Sequence, residues 1–111
     1  MRLALLVMLL LVLSAATYSG DFVQGTQTCP ASGRIQVSST SYNLFQLSIT
    51  ANLDNSGKIY IGGVTVTTAN APGLPAGWSY NAGKPSSGVN PAALYFACDS
   101  SSDGLKWIGS R

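Results

Sequence analysis

The chain has 111 residues, 46% of them hydrophobic and 9% charged, with six Lys and Arg, four Asp, no Glu and no His. That length allows one folded domain at most. The net charge of +2, with Lys58, Lys84 and Lys106 as far apart as Arg2, Arg34 and Arg111, lacks the clustered basic face of a nucleic-acid binder.

The amino end comes first. Met1-Arg2 is followed by Leu3 to Leu13 without a polar residue, then by Ser14-Ala15-Ala16. A positive start, an apolar run and small residues match a secretory signal peptide, with cleavage before Thr17. Retained, the same run is an anchor built from Leu3, Leu5, Leu6, Val7, Leu9, Leu10, Leu11, Val12 and Leu13. As a helix, residues 3–16 reach roughly 21 Å, short of a ~30 Å hydrocarbon core. Gly20 and Asp21 work against a longer span.

Residues 17–33 read as a polar, turn-rich linker containing Pro30. Cys29 lies in it, and the second cysteine, Cys98, is near the other end of the chain. With a signal-like start the pair reads as a disulfide, against the alternative of two buried free thiols. Closing a loop of about 70 residues stabilises a fold by roughly 4 kcal/mol. Two cysteines without histidine make a poor metal site.

A β domain is expected over residues 34–111. In "RIQVSS", Ile35 and Val37 point one way. In "LFQLSITANL", Phe45, Leu47, Ile49, Ala51 and Leu53 alternate with Gln46, Ser48, Thr50 and Asn52, the pattern of a half-buried strand. "DNSG" (54–57) supplies a hairpin turn, "KIYI" a returning strand, Gly62-Gly63 a bend and "VTVTT" (64–68) a third strand. The loop 69–91 holds Pro72, Pro75, Pro85 and Pro91, which exclude a helix, with Trp78 and Tyr80 able to pack a short edge strand. "AALYFAC" (92–98) is a strand, "DSSSDG" (99–104) a turn and "LKWIG" (105–109) the last strand. The fold class is all-β: a small antiparallel sandwich or barrel of about six strands, preceded by a short apolar helix.

Catalytic constellations fail for lack of parts. Ser56-Gly57-Lys58 resembles a fragment of a phosphate loop, but a phosphate loop feeds a helix, and Lys58 opens a β-rich run. Serines have no histidine to serve as base. Asp99 and Asp103 flank three serines in what reads as a solvated turn, with too few carboxylates for a calcium loop. No catalytic, cofactor or metal residue is assigned. Trp78, Tyr80, Tyr95 and Trp107 could together form a stacking platform for sugars or bases, but in so small a domain such aromatics are more often core; Trp78, Tyr80 and Trp107 are the interaction candidates.

Further residues carry a resemblance. Asn55-Ser56-Gly57-Lys58-Ile59-Tyr60-Ile61-Gly62 is followed by Val64-Thr65-Val66-Thr67, by Gly73-Leu74-Pro75-Ala76-Gly77, by Leu94-Tyr95-Phe96, and by Asp103-Gly104-Leu105-Lys106-Trp107-Ile108-Gly109. In order and spacing, over about 66 residues, the series resembles small bacteriophage virion proteins of the head-fibre, decoration or minor-capsid type. The resemblance implies a compact β domain that packs on other virion proteins, major capsid or vertex proteins among them, in many copies or as a homo-oligomer. It brings no active site, cofactor or nucleic-acid contact. The apolar amino end and Cys29 depart from the pattern, and imply membrane contact or passage through a capsid vertex. A secreted β-sandwich binding module for a glycan or receptor, with residues 1–16 removed, is the alternative.

Overall fold

The computed structural model describes residues 21–83 and 88–111. The apolar segment with its anchor residues and expected helix lies outside the described residues. Eight strands occur among those described: β1 (Phe22–Thr28), β2 (Ile35–Gln36), β3 (Gln46–Ala51), β4 (Ile59–Gly62), β5 (Gly73–Leu74), β6 (Ser79–Gly83), β7 (Tyr95–Cys98) and β8 (Gly104–Ser110). A single 3₁₀ turn, Pro91–Ala93, precedes β7 and is capped by the Asn90 side chain. The strands form two four-stranded sheets, ordered β1-β8-β3-β6 and β2-β7-β4-β5. Every pairing is antiparallel.

Both sheets face one core. The alternation in β3 buries Leu47, Ile49 and Ala51. Opposite them on β8 stand Gly109, Trp107 and Leu105, which register places on the same side of the sheet. The second sheet contributes Ile59 and Phe96, both at 0% exposure. These side chains, with Val37, Leu44 and Cys29, make one hydrophobic cluster. Burying a side chain such as Phe96 or Leu105 stabilises by about 1.5–3 kcal/mol. Two facing antiparallel sheets around one core are compatible with a small β-sandwich.

Four expectations change. The stretch read as linker contains β1, paired with β8 along its whole length. Its inner positions are Val23, Gly25 and Gln27, so hydrophobic alternation is nearly silent there and β8 supplies the order. Gly25 has a packing reason: a Cβ at this position would come 2.7 Å from Nε1 of Trp107, whose indole lies over the strand.

The "DNSG" turn is not a hairpin. β3 and β4 belong to different sheets, so residues 52–58 form a corner that carries the chain from one sheet to the other. "VTVTT" is a turn and not a strand. Val66 N donates to Gly63 O at 3.0 Å, the Asn70 side chain accepts from Thr67 N at 2.7 Å and donates to Thr65 O at 2.9 Å, and only Val66 is buried. These local side-chain bonds replace a sheet ladder. Finally, Ile35 stays 39% exposed while Val37, beyond the two-residue β2, is fully buried.

Candidate interaction surface

The chain crosses between sheets twice at one end, at 52–58 and at 99–103, and the two crossings are stitched together. Asp103, at 4% exposure, accepts from Ser56 N at 2.8 Å and from Gly57 N at 2.9 Å. The Ser56 hydroxyl is 3.3 Å from the same carboxylate. Asp99 accepts from Lys58 N at 3.0 Å. The Asn55 amide closes a reciprocal pair, donating to Gly104 O and accepting from Gly104 N, both at 2.9 Å.

The turn that looked like a phosphate loop thus does cradle anions, through three successive amides, and the anions are its own two aspartates. The solvated "DSSSDG" turn is corrected for Asp103: the residue is buried, and its carboxylate is satisfied by the amides of 56–57, which have no ladder partner. The backbone amide of Ser56 is the main cause holding the Asp103 carboxyl below its ordinary value; burial opposes it, and Gly57 and the Ser56 hydroxyl add to the lowering. The Tyr60 phenol is pushed above its ordinary value, first by burial and then by its hydrogen bond and proximity to Asp99.

Cys29 and Cys98 are joined as a disulfide across 69 positions of sequence, with Cα atoms 6.0 Å apart. It ties the end of β1 to the end of β7, one sheet to the other, beside the stitched corner. Cys29 N also donates to Asp103 O at 2.9 Å.

The three interaction candidates separate. Trp107 is core, at 6% exposure, with its ring 5.9 Å from that of Tyr42. Its position on the central strand β8 places it inside. Trp78 and Tyr80 are 65% and 45% exposed on and beside the edge strand β6. Trp78 pairs with Ala51 through the backbone, and Tyr80 stands opposite Ile49. Both therefore have core-side parity, but the sheet ends at β6 and leaves them uncovered.

The outer face of the first sheet is a largely polar surface spanning four strands. Across its four strands run the rows Gln24, Ile108, Ser48, Asn81 and Thr26, Lys106, Thr50, Ser79. The hydroxyls of Thr50 and Ser79 are 2.7 Å apart. Two shallow grooves flank Ile108, one of about 480 Å³ toward Phe22 and Gln46 and one of about 400 Å³ toward Thr26 and Lys106. Hydroxyl, amide and Lys106 amine groups around Ile108 suit hydrogen bonding to a polar surface. Sequence reading missed this face; its one signal was the polar half of the β3 alternation, Gln46, Ser48 and Thr50.

Among the described residues no group of His, Cys, Asp and Glu is placed to hold a metal ion, and no helix is long and apolar enough to cross a membrane. No protein-family model, curated protein or solved structure matches the chain.

Proposed function

We propose that the chain is a minor structural protein of a bacteriophage particle, acting by contact rather than catalysis. Its β domain packs against other virion proteins, major capsid or vertex proteins, in multiple copies, and the apolar segment 1–16 fastens it, through membrane contact or within the particle. We read the two sheets as a sandwich rather than a barrel, since no strand is shared between them.

One observation carries the reading. Of the residues behind the resemblance, Asn55, Ser56, Gly57, Asp103 and Gly104 are hydrogen-bonded to one another at the corner. A motif whose polar groups satisfy each other maintains a shape and leaves nothing over for a substrate. Purified particles test it: the chain is expected in a fixed ratio to the major capsid protein, and its absence overturns the proposal.

The disulfide favours a second reading, a secreted binding module whose ligand, a glycan or receptor, lies on the outer face of the first sheet or on Trp78 and Tyr80. Intact mass separates the two. A mature chain beginning near Thr17 and recovered from the medium supports the secreted module, whereas one keeping residues 1–16 and recovered from particles supports the virion protein.

A further inference from the structure

We propose that β1 is a pairing edge, which binds β1 of a second copy of this chain antiparallel about a two-fold axis at Gly25 and so builds one continuous eight-stranded sheet. The proposal stands on the sheet edge alone and does not depend on a phage particle.

Four strands end the two sheets: β1 and β6 on one, β2 and β5 on the other. β2 and β5 are two residues each. β5 lies between Pro72 and Pro75, and β6 runs into Lys84-Pro85. Short length, lysine and proline are the usual protections of an edge. β1 has none of them: it is seven residues long, FVQGTQT, without charge or proline.

The hydrogen-bond phase shows which groups the edge offers. Arg111 N donates to Asp21 O at 3.0 Å and Cys29 N to Asp103 O at 2.9 Å, at the two ends of the β1–β8 pairing and in its register. Hydrogen-bonded pairs alternate in an antiparallel ladder, so Val23, Gly25 and Gln27 bond to β8. The backbone N–H and C=O groups of Phe22, Gln24, Thr26 and Thr28 point the other way. Among the described residues none of these groups bonds to a turn or loop.

A second β1 satisfies them in one arrangement centred on Gly25. Phe22 then faces Thr28 of the copy and Gln24 faces Thr26, each a hydrogen-bonded pair, for about eight new backbone bonds in total. Gly25 meets its own copy at the pair where two strands approach most closely. No charge opposes a like charge, and Asp21, just before the strand, is already paired with Arg111 at 2.6 Å. Phe22, 61% exposed, lies beside a threonine methyl. Foreign strands are recognised largely through side chains and charge; β1 carries no charge of its own, and its pattern of outward backbone groups is complementary to itself. Pairing occupies the edge on both copies, so the assembly closes at two.

Sedimentation of the full-length protein, with hydrogen exchange, tests the proposal. The wild type is expected to dimerise with concentration, and the amides of Phe22, Gln24, Thr26 and Thr28 to slow in exchange with it, while those of Val23, Gly25 and Gln27 stay unchanged. Gln24 and Thr26 are exposed, so charges there leave the core alone. The double variant Q24K/T26K sets lysine opposite lysine in the dimer and is expected to weaken it at least about tenfold. Q24E/T26K sets opposite charges across the same pair and restores it. A wild type that remains monomeric up to about 100 µM overturns the proposal, as does association that Q24K/T26K leaves unchanged, the result if residues 1–16 or the outer sheet face made the contact. Amide protection without the even-residue pattern overturns it as well.

Discussion

The stitched corner and the β1 edge treat backbone polar groups in opposite ways. At the corner, residues 54–58 and 99–103 come from turns with no ladder to join, yet the amides of Ser56, Gly57 and Lys58 are aimed at Asp103 and Asp99, and the Asn55 side chain is held by Gly104. In β1, a regular strand, every second residue aims its backbone away from β8, where no described residue bonds it. The corner is closed by side chains that the chain supplies locally after folding brings them together. The edge has no such local partner, and in the pairing proposed above a second strand closes it. The difference places rigidity at one end of the molecule and association along one side of it.

The largest test of the corner is the disulfide. Reduction, or Cys98→Ser, is expected to cost about 4 kcal/mol by the loop-closure entropy of the unfolded chain. The urea midpoint should fall accordingly; an unchanged midpoint would mean that the hydrogen-bonded crossings hold the two sheets without the bridge. Next is Gly25→Ala, on the edge strand. Its new methyl meets the Trp107 indole below 3 Å, and the overpacking is expected to cost about 1–3 kcal/mol, seen as a lower midpoint and altered tryptophan fluorescence.

Acid is expected to act more gently, at the corner through Asp103. The folded Asp103 carboxyl titrates below its ordinary value of 3.8, so its contribution is present above the unfolded value and is lost as pH falls through the folded one. Stability should therefore decline below about pH 4, and Asp103→Asn should flatten that decline; an unaltered pH profile would remove Asp103 from the account. The smallest effect belongs to Trp78→Ala. With 65% of the residue exposed at the rim of β6, the folded state should change by less than about 0.5 kcal/mol, while any binding through that aromatic pair should be lost.

The legible parts of the fold were those with their own periodicity. β3 was readable because Leu47, Ile49 and Ala51 alternate with polar residues, and β8 because Leu105 and Trp107 do. β1 was not, since glycine and glutamine occupy inner positions and only the Trp107 indole explains the glycine. "VTVTT" has strand propensity, but propensity is weak where local Thr and Asn bonds offer the backbone another solution. Of the three aromatic candidates, Trp78 and Tyr80 are exposed and Trp107 is buried, a distinction residue type could not make because exposure depends on which strand is central.

The sequence by itself determined an all-β domain and a turn at 54–57, because alternation and turn residues are local properties; it left Cys29 and Cys98 between a disulfide and two free thiols, and the fold joins them. Only the tertiary structure decided that this turn joins two sheets, that Asp103 is its buried anion, and that β1 is an edge strand paired with β8. Those are matters of which segments meet across the chain, where non-local pairing fixes every hydrogen bond's direction and no local preference carries the information.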